Sequence, residues 1–340
     1  MKVQKVSPTL YDVAARSGVS TATVSRCLNF PDHVAEPTRL KVMKAIEDLG
    51  YSPNFGAKVM AARRTNTIGA IIPTMENAIF ARGLQAFQDA LREKGYTLLV
   101  ASSSYRADQE EEMIRALVAR GADGLLLIGH ARRQEIYDFL DAQGIPALVV
   151  WAHDTTESQA SVGFDNHQAM AELTRYAISL GHRRLALMTA PIAANDRAMA
   201  RRLGVLDAMA EIGLPAKDLI EIETPYGIEH GARAFETLMT GNTAPTVILC
   251  GNDVLAVGAL RRAREMGIDV PGDVSITGFD DIELAQVAVP ALTTVHVPHR
   301  EMGKRAAQML IARLQGEGVL HTVELSAELK IRESLGPPPS

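Results

Sequence analysis

Residues 9–29 read TLYDVAARSGVSTATVSRCLN. Thr9 is placed to cap a helix that begins at Leu10, and Leu10, Val13 and Ala14 recur at helical spacing. Gly18 supplies a stop, Val19 sits in the turn, and Ser20 offers a fresh cap. In the next segment Val24 and Leu28 lie four apart, so they share one face. Two short helices joined by a glycine-containing turn predict a helix-turn-helix. The second helix starts with small or polar residues, Thr21 and Ala22, and carries Arg26 on its outer face. Small residues allow close approach to a major groove, and arginine can take a guanine edge with paired hydrogen bonds.

A third helix is predicted from Glu36 to Leu49, with Pro37 in its first turn and Gly50 ending it. Leu40, Met43, Ile46 and Leu49 are expected as its inner row. Val13, Val24, Leu28, Leu40, Met43 and Ile46 are expected as the shared core. Charge supports a separate role for this segment. The first 66 residues hold ten Lys or Arg against five acids, while the chain as a whole carries −5. A basic head on an acidic body suggests that only the head meets phosphates.

From Thr67 the pattern changes. IGAIIP, YTLLVAS, GLLLIG, PALVVW, SVGFD, RRLALMTA, TVILCG and VSITGFDD are short apolar runs. Helical stretches such as FARGLQAFQDALREKG and DQEEEMIRALVARG separate them. This alternation predicts parallel sheets covered by helices, and eight runs predict two doubly wound lobes. Open α/β sheets take ligands beyond the carboxyl ends of their strands. Thr74, Glu76, Asn77 and Phe80 fall there after the first strand, Trp151 after the fourth, and Asp165 and Asn166 after the fifth. Asn195, Arg197 and Arg201 follow the sixth, Tyr226 lies in a later loop, and Asn252, Asp253 and Asp280 follow the last two. Aromatic faces, an arginine fork and acids for hydroxyls are the means of holding a sugar or similar polar solute.

Enzyme signatures are missing from the sequence: GxGxxG, a P-loop, GxSxG, HExxH and CxxC do not occur. No cofactor or metal is expected. Cys27 and Cys250 are far apart and lack metal-type spacing, which fits a reducing compartment. No run suits a signal peptide or a bilayer span, so the expected location is the cytoplasm, with no membrane partner.

The head sequence, continued by VAEPTRLKVMKAIEDLGYSPN, resembles the DNA-binding head of the lactose/galactose repressor (LacI/GalR) family. The likeness extends through the chain. It implies an all-α helix-turn-helix head at 1–51, a hinge at 52–66, and a periplasmic-binding-protein-like body at 67–340. Lobe 1 would comprise about 67–162 and 294–320, and lobe 2 about 163–292 and 321–340. By the same resemblance Thr21, Ala22 and Arg26 read bases, while Tyr11, Ser20, Thr23, Ser25 and Asn29 meet the DNA backbone. In the hinge, Lys58 would contact DNA, and Met60 stands where the family has a leucine that wedges a base step from the minor groove. Ala35 departs from the serine cap common in the family. Phe80, Asp165, Asn195, Arg197, Arg201, Tyr226, Asn252 and Asp280 are the implied effector residues.

The implied function is that of a transcriptional regulator, most simply a repressor. Its partners would be double-stranded palindromic operator DNA, a small polar effector (sugar or sugar acid) and a second copy of the chain. The helix from Phe80 to Glu93, with its Leu84, Phe87 and Leu91 stripe, would contribute to the dimer. The tail after Glu333 shows no heptad helix, which argues against a coiled-coil tetramer and leaves other tetramers open. A transport solute-binding protein would share the body but not the head.

Overall fold

The computed structural model describes residues 8–52, 64–76, 78–241 and 243–339. The chain divides into two compact units, Met1–Thr65 and Asn66–Ser340. Lys58, Met60 and Asn77, and the side chain of Asn29, lie outside the described residues.

The first unit holds three helices: α1 (Leu10–Ser17), α2 (Thr21–Asn29) and α3 (Glu36–Leu49). Each boundary has a local cause. The Asp12 amide donates to the Thr9 hydroxyl and the Thr9 amide to the Asp12 carboxylate, which closes a capping box. Gly18 ends α1 at φ +69°, a conformation that other residues enter at a cost. Ser20 accepts from the Thr23 amide and so starts α2. Ala35 gives α3 no side-chain cap.

The head core is Val13, Val24, Val42, Cys27, Ala45 and Tyr51, with Leu28, Ile46 and Leu49 at its margin. Leu40 and Met43 do not join it; they are 59% and 49% exposed. The inner row of α3 is Val42, Ala45, Ile46 and Leu49. Small side chains at 42 and 45 bring α3 close to α1 and α2, and that sets the register against the larger Leu40 and Met43.

The second unit contains two parallel sheets. The larger runs β11-β5-β4-β3-β1-β2, where β1 is Thr67–Ile72, β2 Thr97–Ser102, β3 Gly124–Ile128, β4 Ala147–Val150, β5 Ser161–Gly163 and β11 Val323–Glu324. The smaller runs β7-β6-β8-β9, with β6 Leu185–Thr189, β7 Ile220–Glu223, β8 Val247–Cys250 and β9 Ser275–Thr277. β10 (Thr294–His296) and β12 (Glu328–Lys330) form an antiparallel pair. All eight apolar runs of the sequence are strands. The other four escape that pattern because β7 alternates polar and apolar residues, and β10, β11 and β12 are two or three residues long.

The chain passes from the larger sheet to the smaller after β5 and leaves the smaller after β9. Val323 and Glu324 then pair with β5 of the larger sheet, whereas Ser334 bonds to Ile276 of the smaller. The tail therefore touches both lobes.

Nine α-helices among the described residues of this unit form the covering layer, and two of them matter most for the site. α4 (Ala81–Glu93) and α12 (His299–Gln315) pack together on the larger sheet. A Cβ on Gly303 would stand 2.0 Å from the Gly83 carbonyl, so glycine at both positions permits this approach. Phe87 and Leu91 of α4 are fully buried in the chain's own core. No helix among the described residues is long and apolar enough to cross a membrane.

Candidate DNA-reading helix and effector chamber

On the head, Tyr11 stands exposed in the first turn of α1. Ser20 and Thr23 share a hydroxyl contact of 2.9 Å at the start of α2, so both serve the cap while keeping their oxygens at the surface. Thr21 and Ser25 are half-buried, and Ala22 and Arg26 are exposed. The exposed Arg26 carries five N–H donors in a planar fork, the geometry that suits a base edge.

In the body, seven of the proposed effector residues converge: Phe80, Asn195, Arg197, Arg201, Tyr226, Asn252 and Asp280 line one cavity. Ile79, Tyr105 and Trp151 complete its wall. Each follows the carboxyl end of a parallel strand, as the topology requires. Asp165 lies elsewhere. It caps the helix Asn166–Ser179 through the Gln168 amide at 2.9 Å and borders a separate cavity with His130 and Asp196. An acid directly before a helix satisfies free amides, which is a local task. Asn195 and Asn252 do both jobs, because each caps a helix (Ala198 and Leu255 amides) while lining the chamber.

The chamber encloses about 20 Å³, roughly one water. A belt of hydrogen bonds surrounds it. Arg201 donates to the Tyr226 hydroxyl at 2.9 Å and to Asn166 Oδ1 at 2.7 Å. Asn166 donates to the Trp151 carbonyl at 2.9 Å. The Trp151 indole N–H meets His299 Nδ1 at 3.2 Å, and His299 Nε2 meets the Asp280 carbonyl at 3.1 Å. Arg201 also lies on the Phe279 ring, 4.8 Å from its centroid. Arg201 Nε and Asn252 Nδ2 remain buried without a partner among the described residues.

Burial shapes the titration of these groups. It pushes the Asp280 carboxyl up to about 7, against the pull of Arg201 and Arg197. It pushes the His299 imidazole down to about 4. The Tyr105 phenol is raised by burial and by the neighbouring Tyr226. The two tyrosine rings meet edge to face at 5.9 Å. Beyond them opens a cavity of about 710 Å³ that shares Tyr105, Asn195 and Tyr226 with the chamber.

Several of these roles escape a linear reading. Tyr105 carries a weak signal, an aromatic residue just past a strand end. His299 carries none. His182, in the Gly181-His182-Arg183-Arg184 stretch, is structural: it joins Thr246 and the Gly336 carbonyl, which fixes the tail. Asp253 is likewise structural, taking the Ile282 amide and the Thr294 hydroxyl.

Comparison with known proteins decides the family. Residues 9–54 match the family described as bacterial regulatory proteins, lacI family, and residues 174–335 match the periplasmic binding protein-like domain. The transcriptional repressor PurR of Proteus mirabilis is 33% identical over 97% of this chain and 98% of its own. The chain belongs to the LacI family of bacterial regulatory proteins. Catabolite control protein A of Priestia megaterium is 30% identical, covering 96% of this chain and 98% of that protein. A LacI-family regulator from Silicibacter pomeroyi superposes with a TM-score of 0.88 at 27% identity, over 97% of this chain and 99% of that one. The lac repressor dimer bound to operator and the anti-inducer ONPF superposes at 0.84 with 26% identity, over 97% and 99%. As a LacI-family member the protein is a DNA-binding transcriptional repressor, not an enzyme, and its periplasmic-binding-protein-like domain binds the effector.

Proposed function

We propose that this repressor binds a palindromic operator as a homodimer and is switched by a sugar or sugar acid held in the chamber between its lobes. The observation that carries the reading is the convergence of Arg197, Arg201 and Asp280 with Phe80, Trp151 and Tyr226 around one buried space. Aromatic faces suit a sugar ring, Asp280 suits hydroxyls, and the two guanidinium groups suit a carboxylate. A monosaccharide exceeds 20 Å³ by several-fold, so entry requires the Tyr105–Tyr226 contact to part and the lobes to shift. That shift is the means by which effector and operator affinities couple, by about 1–3 kcal/mol.

On the DNA side, Thr21, Ala22 and Arg26 take the base edges, and Tyr11, Ser20, Thr23, Ser25 and Asn29 the backbone. Lys58 and Met60 would act from the hinge. For the dimer, α4 offers only its outer side, since Phe87 and Leu91 are spent internally. The β2 edge supplies exposed Leu99 and Val100, on a strand that pairs with β1 on one side only and whose other side a second copy would cover.

Trp151 is the sole tryptophan of the chain and lines the chamber, so its fluorescence reports occupancy directly. Titration with aldoses and aldonic acids is expected to change its emission and operator affinity together. A panel that changes neither overturns the effector reading. Sedimentation of Leu99→Arg is expected to show monomer; a native-size particle removes β2 from the interface.

A further inference from the structure

We propose that His299 is a positioning residue for effector recognition: one neutral imidazole, protonated on Nε2, holds Trp151 and Asp280 in the backbone conformations that make them walls of the chamber. The proposal rests on the chamber being the effector site. Its geometry comes from opposite sides of the molecule. Trp151 follows β4 of the larger sheet, Asp280 follows β9 of the smaller, and His299 begins α12. Both wall residues have positive φ, +62° at Trp151 and +105° at Asp280. Side chains other than glycine hold such angles only where the surroundings over-determine them.

The His299 hydrogen bonds add to that constraint, beside the Asp280 amide's own bond to the Val295 carbonyl at 2.9 Å, and they also dictate the tautomer. Indole N–H can only donate, so His299 Nδ1 must be the acceptor. The Asp280 carbonyl can only accept, so Nε2 must carry the proton. An imidazolium would set two N–H groups against each other, and the opposite tautomer would break both bonds. The Trp151 amide points at Met302 Sδ, 3.2 Å away on the next turn of α12. The indole edge occupies the space left by Gly83, where a Cβ would stand 2.5 Å from Trp151 Cη2. Movement of either wall therefore acts on the packing of α12 against α4.

The test uses the full-length chain labelled with 15N, whose spectrum holds a single indole N–H signal. Long-range histidine spectra are expected to show His299 as the Nε2–H tautomer, and the indole proton is expected to exchange slowly. His299→Leu should move the signal and speed its exchange at least tenfold. His299→Gln should restore both, because an amide offers one acceptor and one donor. An Nδ1–H tautomer, or an indole signal that His299→Leu leaves in place, overturns the proposal. The tautomer is read on the native protein, so the test stands even where the leucine variant does not fold. None of these readouts needs a ligand. The chamber reading fails separately, if Arg201→Ala keeps the native response to D-gluconate and D-glucose. Where that reading holds, His299→Leu should weaken whichever probe quenches Trp151 by tenfold or more, and His299→Gln should not; equal affinity in His299→Leu also overturns the positioning role.

Discussion

Arg26 in the head and Arg201 in the body are the two arginines proposed for recognition, and they are held in opposite ways. Arg26 is exposed on α2, with no ion pair among the described residues. Arg201 is buried, bonded to Asn166 and Tyr226, and laid on Phe279. The first keeps its rotamer freedom, up to about 2 kcal/mol, until it meets a base. The second gave up that freedom on folding and is already aimed. A surface that must let go of DNA can use loosely held groups, whose affinity is largely electrostatic and salt-dependent. A chamber that must distinguish one small solute from another needs its donors fixed in advance.

The sharpest way to break this comparison is to remove both arginines separately. Arg201→Ala removes the buried donor to Asn166 Oδ1 and to the Tyr226 hydroxyl, and takes from Asp280 the stronger of its two neighbouring cations, leaving Arg197. Urea denaturation is expected to show a loss of about 3 kcal/mol, with no residual effector response. Arg26→Ala should stay within about 0.5 kcal/mol of the parent. Comparable losses in the two variants would mean that Arg201 is not pre-organised by its neighbours.

Arg26→Ala should instead lose about 1–3 kcal/mol per half-site on operator, with little change on random DNA. Competition binding at fixed salt measures this. Unchanged discrimination would remove Arg26 from base readout and leave α2 a backbone clamp.

Buried charge in the chamber gives a third contrast, one with no counterpart in the head. Folded Asp280 retains a proton between its ordinary 3.8 and about 7 that the unfolded chain has shed, so its contribution to stability falls as pH rises through that window. Folded His299 lacks a proton between about 4 and its ordinary 6.5 that the unfolded chain holds, so its contribution rises with pH there. Arg82 and His296 push His299 the same way as burial, while the Asp280 carbonyl and Asp281 oppose. Between about 4 and 6.5 the two slopes cancel. Relative to the parent, Asp280→Asn should show stability climbing more steeply with pH, and His299→Gln less steeply. Each change is bounded by one proton, about 1.4 kcal/mol per pH unit. Denaturation across that range checks it; parallel curves for all three proteins would place Asp280 or His299 in water.

The same contrast explains what was legible in the chain before folding. The head's helices are marked by contacts within four residues, such as Thr9 with Asp12 and Ser20 with Thr23. Leu40 and Met43 fit the helical spacing of an inner row yet lie outside it, because the small head packs Val42 and Ala45 instead. Strand-end positions exposed Arg201, Tyr226, Asn252 and Asp280, since a parallel sheet sends every such residue to one edge. Asp165 sits at a strand end too, but its neighbouring helix claims it. His299 was out of reach because its meaning depends on Trp151, 148 residues earlier, and on Asp280 in the other lobe. Local chemistry can be read along the chain; a belt that closes through two sheets cannot.

The smallest expected effect tests whether the head is tuned independently of the chamber. Ala35 precedes α3 at φ −54° and ψ 132° and offers its first turn no side-chain acceptor. The Thr38 amide bonds to the Ala35 carbonyl, at 2.9 Å. Ala35→Ser places a hydroxyl where that turn's free amides converge, as Ser20 does for α2. The gain should be about 1 kcal/mol in the isolated three-helix transition. The effector affinity read through Trp151 should not move, because no chamber residue lies in the first unit. Calorimetry with separate head and body transitions measures the first, and fluorescence titration the second. A serine that stabilised the head and also shifted effector affinity would show that the loosely held reader and the fixed chamber are energetically one system even without DNA.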